Sequence, residues 1–314
     1  MKHLTLNLFV LFILLGLMAA CAPTADPTPE AISLPEAEGK VLVIGDISAQ
    51  PAETINGTQP LADYLASQLS DHGITAGSIK IAPDLETMIQ WVKDGEVDLY
   101  FDSPYPALVI SQEAGATPIL RRQKFGVDQY HSVFFTKADS DLTGLEDLYG
   151  NMVAFEEAFS TSGYMLPLAY LIENNMNPVA KNSLETAVAP DEVGFVFSAA
   201  DNTTIQWIVS GKVPVGVTDN VSFKRLPEET QAELKIIAET ESVPRQLVLV
   251  GPNISDDLRA AIREVLLAAD ESEAGQKALE IFLTTQFDEF PEGAAKALQR
   301  MDELYNLVQA KEQE

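Results

Sequence analysis

Asn151–Leu166 reads NMVAFEEAFSTSGYML, and the reading of the fold starts from it. Met152–Phe155 is a short apolar run, the pattern of a buried strand. Glu156-Glu157 and a turn follow. Ser160-Thr161-Ser162-Gly163 then leads into Tyr164–Asn175, whose apolar residues recur at helical spacing. A hydroxyl residue ahead of such a run is an N-cap, and one is enough. Here three stand in a row. A helix start presents unpaired N–H groups and the positive end of the helix dipole, so extra hydroxyls there also suit an oxyanion. On these residues alone, an ordinary cap and an anion seat both fit. Glu156-Glu157 could form a catalytic pair, but adjacent residues on an extended turn point apart, which favours a solvated or capping role.

The strand–turn–helix unit is not alone. Lys40–Gly45 reads as a strand, Pro60–Ser70 as a helix and Ser78–Ala82 as a second strand. A helix over Asp84–Lys93 ends at Gly95, Val97–Phe101 is a third strand, and Asp102-Ser103-Pro104-Tyr105 starts another helix. Strands and helices alternating at this rhythm predict βαβ units and a mostly parallel sheet. Further along, Ile89-Gln90-Trp91-Val92 before Gly95 returns as Ile205-Gln206-Trp207-Ile208 before Gly211. The same offset aligns Val97–Phe101 with Val213–Val217 and sets Ser103 opposite Asp219. Two related lobes follow. Because open α/β sheets bind ligands beyond the carboxyl ends of their strands, Ser103 and Asp219 are placed beside a shared cleft. Ser132–Thr136 and Gln246–Val250 read as strands carrying the chain out of the first lobe and back. Asp256–Ala269, Glu273–Leu283 and Glu292–Gln309 read as helices packed on the first lobe and its hinge side.

With 314 residues, 46% of them hydrophobic, the chain has enough material for two medium domains. Its 47 acidic and 20 basic residues give a net charge of −27. That balance excludes nucleic acid and anionic membrane surfaces as partners, since both require a basic footprint. Any anion site must therefore be built locally. Lys2, the apolar run Leu4–Met18 and Ala19-Ala20-Cys21 read as a signal peptide, too short for a comfortable membrane span. Cys21 is the only cysteine, so it has no disulfide partner within the chain. Ala22–Glu38, rich in Pro, Ala, Thr and Glu, reads as a tether.

PLADYL (Pro60–Leu65), GEVDL (Gly95–Leu99), YHSVFF (Tyr130–Phe135), STSGY (Ser160–Tyr164) and GKVPVGVTD (Gly211–Asp219) occur in this order, and the residues before Cys21 look like a bacterial lipobox. With these motifs the chain, from about Lys40 to Leu283, resembles the periplasmic phosphonate-, phosphite- and phosphate-binding lipoproteins of ABC transporters. The resemblance implies an α/β, two-lobe periplasmic-binding-protein type II fold, each lobe a mostly parallel sheet flanked by helices, with a two-strand hinge. It implies a signal peptide over 1–20, lipidation of Cys21, a tether over 21–39, one lobe from 40–132 plus 245–314 and a second from 133–244. It also implies Ser160, Thr161 and Ser162 as oxyanion ligands, Tyr130 and Asp219 as further contacts, and Tyr105 on the first-lobe wall, beside the Ser103 that strand-end geometry already places at the cleft. The chain departs from the family in several places. His131 stands where many relatives have Arg, Asp201 where many have His, and Asp102-Ser103 where Gly-Pro is frequent. His131 and Asp201 join the candidate ligand residues on that account.

The expected function is an extracytoplasmic, lipid-anchored and monomeric binding protein. It would capture a small phosphorus oxyanion for an ABC permease, with no cofactor, no metal and no nucleic acid. Two ligand forms suit the acidic cleft: an oxyanion that keeps a proton, or a zwitterion whose amine meets the carboxylates. A compact oxyanion is slightly preferred, because Tyr105 and Tyr130 could close tightly on it. A sensory binding module and an exported enzyme on the same fold are the competing readings. No HExxH or GxSxG pattern occurs, and beyond the leader only His72 and His131 remain as histidines.

Overall fold

The structure is a computed structural model that describes residues 39–313; the leader, Cys21 and the tether up to Glu38 lie outside them. β1 (Lys40–Ile47) leads to α1 (Pro51–Gln68), β2 (Ile74–Ala82), α2 (Leu85–Asp94), β3 (Leu99–Asp102), α3 (Pro104–Ala114) and β4 (Thr117–Lys124). A short crossing, β5 (Gln129–Tyr130), passes into β6 (Ser132–Lys137) and β7 (Met152–Phe155). Then come α4 (Leu166–Glu173), β8 (Pro178–Ala180), β9 (Val193–Phe197), α5 (Asp201–Val209) and β10 (Val215–Asp219). Two short helices, α6 (Asn220–Lys224) and α7 (Glu228–Ala232), precede β11 (Leu234–Glu239). The return crossing is β12 (Val243–Pro244), followed by β13 (Gln246–Val250), α8 (Asp256–Leu267), α9 (Glu273–Ile281), β14 (Thr284–Asp288) and α10 (Ala294–Glu312).

These strands form two six-stranded sheets, ordered β14-β4-β13-β3-β1-β2 and β11-β6-β10-β7-β9-β8. The internal repeat is visible in the orders: β2-β1-β3-β13-β4 has the same plan as β9-β7-β10-β6-β11. In both, the third strand pairs in parallel with its helical-unit neighbour and antiparallel with an inserted strand, β13 in one sheet and β6 in the other. Each inserted strand arrives straight from the opposite lobe. The crossings β5 and β12 pair with each other, Tyr130 opposite Val243 and Gln129 opposite Pro244. The fold is thus two-lobed α/β with a two-strand hinge.

The elements that periodicity marks form close to their expected places, with caps to match, whereas β4, β8, β9, β11 and β14 carry no such reading. Asp84 caps α2 through Thr87 N–H, and left-handed Gly95 ends it. One helix starts earlier than its pattern suggests. α1 begins at Pro51 rather than Pro60, because a proline in the first turn lacks an N–H that would go unpaired anyway. Pro60 is carried inside the helix.

α8 and α9 pack behind the first sheet, with Leu258, Ile262, Leu266 and Leu279 in one cluster with Leu42, Leu61 and Leu65. α10 packs on the first lobe as expected and also reaches the second. It packs on α3 of the first lobe and on α4 of the second, with Leu298, Met301, Leu304 and Val308 buried in a cluster that includes Leu108 and Leu166. Asp302 accepts from Gln112 at 2.7 Å, while Arg300 donates to Glu173 at 2.8 Å and Glu241 at 2.5 Å. Because Leu304 is 2% exposed, Leu304→Ala should cost about 2–5 kcal/mol of unfolding free energy. Urea denaturation is expected to show a lower midpoint with the slope unchanged.

Candidate ligand site

The carboxyl ends of β1, β3, β4, β7 and β10 converge on a cavity of about 430 Å3, as strand-end geometry requires. β1 brings Asp46, β3 brings Asp102 and Ser103, and β4 brings Arg122 and Lys124. β7 is followed by Glu156 and Ser160, and β10 ends at Asp219. The crossings contribute Tyr130 and Arg245.

The first turn after Ser160 is a wide one. Met165 N–H donates to Ser160 C=O at 3.0 Å, five residues back, and Gly163 N–H donates to Ser160 Oγ at 2.9 Å. Ser160 Oγ in turn donates to Glu156 Oε2 at 2.7 Å. Gly163 is required by close approach: a Cβ there would stand 2.4 Å from Glu156 Cβ. The turn and Glu156 are therefore packed as one unit.

Of the residues expected from sequence, Ser103, Tyr130, Ser160, Ser162, Asp201 and Asp219 line the cavity together. Tyr130 is fully buried, facing the Ser103 and Ser162 hydroxyls, and burial pushes its phenol up to about 12. Asp201 Oδ1 accepts from Thr218 Oγ1 at 2.7 Å. Asp219 has a second task. It caps α6, its Oδ1 accepting from Val221 and Ser222 N–H at 2.8 and 2.9 Å and its Oδ2 from Ser222 Oγ at 2.6 Å.

Three expected residues do not line it. Thr161, 1% exposed, donates its hydroxyl to Ser103 Oγ at 2.9 Å and accepts from Tyr105 N–H at 2.9 Å. It latches the lobes, with no hydroxyl proton left for a ligand. Tyr105 turns away from the cavity, with its ring 5.9 Å from that of Tyr305 on α10. His131 follows Tyr130 in extended chain, so its side chain takes the opposite face; its ring lies 3.4 Å from Ser242 Oγ and 3.8 Å from Glu239.

The cations were missed. Arg122 donates to Thr284 Oγ1, Gln246 Oε1 and Phe282 C=O. Burial pulls its guanidinium down to about 9, which leaves it charged at neutral pH. Lys124 is pulled down to about 8, by burial and then by Arg122 and Arg245, and no hydrogen bond or ion pair engages its ammonium among the described residues. Arg245 is 8% exposed; its guanidinium stacks 4.2 Å over the Tyr130 ring, and its Nε is buried with no partner. The signal was Arg121-Arg122-Gln123-Lys124, three cations in four positions of an acidic chain. Strand alternation sends Arg122 and Lys124 to one face and Arg121 to the other.

Glu156 and Glu157 also line the cavity, against the expectation of a solvated turn. Burial first, then Asp201, the Glu157 carboxylate and Asp219, push Glu156 up to about 8, while Ser160 opposes the shift. Burial raises Asp46 to about 6 and also raises Asp102 and Asp201. Glu156 thus holds a proton that an ordinary carboxyl releases, and a protonated carboxyl is a hydrogen-bond donor. No group of three or more His, Cys, Asp or Glu residues among the described residues is placed to hold a metal ion.

Three comparisons bear on this arrangement. Residues 45–293 match the family described as ABC transporter, phosphonate, periplasmic substrate-binding protein. The phosphate-import protein PhnD of Mycolicibacterium smegmatis is 25% identical over 250 residues, covering 75% of this chain and 72% of the relative. XAC2383 of Xanthomonas citri, solved with chloride ion and with ATP, superposes with TM-scores of 0.81 and 0.80 at 28% identity; 87% of this chain and 99% and 98% of that one are covered. PhnD1 of Prochlorococcus marinus in complex with methylphosphonate shares the fold, with a TM-score of 0.67 at 15% identity over 86% of this chain and 98% of that one.

The pH dependence of stability follows from Glu156. Above its ordinary 4.5 the unfolded chain has released this proton, whereas the folded chain keeps it up to about 8. Its contribution to stability therefore falls as pH rises from 4.5 to 8. Glu156→Gln is expected to raise the melting temperature at pH 8 by clearly more than at about pH 5, close to the ordinary carboxyl value. Equal shifts at both would mean an ordinary carboxyl.

Proposed function

The chain belongs to the periplasmic substrate-binding family of phosphonate ABC transporters, and on that premise we propose that it captures a small phosphorus oxyanion, phosphate or an alkylphosphonate, for delivery to an ABC permease. The observation that carries the reading is Arg245. A buried guanidinium without an anionic partner is costly, and a bound anion offsets that cost with charge-assisted hydrogen bonds. Ser103, Ser160, Ser162 and Tyr130 line the same cavity and add hydroxyls suited to the remaining oxygens.

The carboxylates shape which anion fits. A proton held on Glu156 turns a repulsive neighbour into a donor, and a ligand that keeps one proton can donate to Asp201. A fully deprotonated dianion lacks that option, and each ionised carboxylate close by opposes it by roughly 4 kcal/mol at an intermediate dielectric. The proposal is therefore a monoprotonated oxyanion, bound by a monomeric protein outside the cytoplasm. Anchoring through a lipid on Cys21 completes the reading. Cys21→Ser should then move the protein from the membrane to the soluble fraction, and wild type found free and unmodified would contradict the anchor.

Calorimetry with phosphate and methylphosphonate tests the site. Arg245→Met should lose about 1.5–3 kcal/mol of binding free energy, the worth of hydrogen bonds to a charged group. The ligand-free variant should melt no lower than wild type, because an unpaired buried charge is gone. Unchanged affinity for both anions would remove Arg245 from the site and the reading with it.

A further inference from the structure

A second chamber of about 750 Å3 adjoins the anion cavity, and the two share Asp46, Ile47, Arg122 and Lys124 in their walls. Arg122 is fully engaged by protein acceptors. The Lys124 ammonium is not, so the charge at the junction is open to a ligand that lies in both spaces.

The outer wall is α1, and one residue of it stands out. Gly57 sits inside this eighteen-residue helix, where glycine is less stable than alanine. Its φ is not left-handed, and a Cβ built on it would meet nothing within 4 Å. Neither backbone conformation nor packing calls for glycine there. A side chain at 57 would instead take up space in the chamber that Gly57 lines. Backbone strain borders the same space: Ala199 and Leu283 both line the chamber with left-handed φ of 68° and 55°.

The chemistry of the walls narrows the occupant. Gln50, Asn56 and Thr58 supply neutral amides and a hydroxyl, and Ile281 and Leu283 supply aliphatic surface. Acidic Asp46 and Glu53 border the space as well as the two cations, so charge favours neither sign in the substituent.

We propose that the outer chamber receives the neutral, hydroxylated substituent of a phosphate monoester of a sugar or polyol, whose phosphoryl head occupies the inner cavity. This deepens the oxyanion reading above and rests on it. Inorganic phosphate fills the inner cavity alone; the ester fills both. The aliphatic walls suit C–H faces of the sugar, while the amides and the hydroxyl suit its O–H groups.

Isothermal titration of the full chain with inorganic phosphate, methylphosphonate, glycerol 3-phosphate and ribose 5-phosphate tests the assignment. Ribose 5-phosphate should bind wild type about tenfold more tightly than either small anion, the gain from about two net hydrogen bonds. Gly57→Trp should remove that gain and leave phosphate affinity unchanged; Gly57→Leu serves if the indole prevents folding. Equal or weaker binding of both esters, beside normal binding of phosphate or methylphosphonate, overturns the assignment and leaves the oxyanion reading standing. A filled variant that keeps the gain overturns it too. Failure of all four probes to bind overturns both.

Discussion

The guanidinium of Arg245 lies 4.2 Å above the Tyr130 ring; Tyr130 sits on β5 and Arg245 directly follows β12, the two strands that join the lobes. Hinge and site are therefore the same piece of chain. A cation held over an aromatic face is positioned, but its N–H groups stay free for another acceptor. Had a carboxylate within the chain closed on Arg245, the hinge would be braced and the cavity neutralised without a ligand. The fold supports the unpaired charge on well-packed surroundings, since the strands on either side, β6 and β13, are buried over nearly their whole length.

A chain of net charge −27 has little long-range attraction for an anion, so its cavity depends on short-range devices. Desolvation is one of them. It weakens the charged forms of cations and carboxyls alike, yet the outcome is not symmetric. Arg122 keeps its proton because its ordinary value is so high, whereas Glu156 and Asp46 move toward neutrality. Crowding makes Glu156, Glu157, Asp46 and Asp201 harder to ionise, so these acidic groups lower their own charge. The wide turn at Ser160 packs Gly163 against Glu156 and keeps that side chain out of bulk water, although the Ser160 hydroxyl it presents opposes the shift.

Much of the fold was legible because its units are local. Capping residues, Gly95 and Gly211, and the returning Ile-Gln-Trp pattern all act over a few residues, and strand-end geometry then placed Ser103 and Asp219. What was not legible is set by contacts distant in sequence. Arg245 meets Tyr130 only because β12 pairs with β5, and no spacing within either segment announces that. The departure at His131, which stands where many relatives have Arg, is the clearest case. A cation is present beside the tyrosine, but it arrives from the other crossing, and alternation turns His131 outward. Thr161 was misplaced for a related reason. A hydroxyl at a helix start is free for a ligand only if no neighbour takes it, and Ser103 and Tyr105 take this one. The role of α10 was hidden likewise, since an amphipathic pattern shows that a face is buried but not against which lobe.

The placement of α10 constrains how the cleft can open. Tyr105 connects two things at once: its backbone N–H donates to Thr161, and its ring packs on Tyr305 of α10. The latch between lobes thus lies beside α10. Separating the lobes there would expose Met301, Leu304 and Val308, each 1–2% exposed now, at about 25 cal/mol for every Å2 of apolar surface returned to water. No residue of α10 lines the outer chamber, whose two sides are α1 with the loop before it and the Ala199–Ala200 turn. Parting those sides breaks no buried apolar contact of α10. The low-cost motion is a rotation that opens this mouth while the α10 side acts as the pivot. On the proposed function, an oxyanion entering past Gly57 and Ala199 would meet Lys124, which lines both spaces, before Arg245, which lines the inner one alone, and each hydrogen bond counts for more as water is left behind.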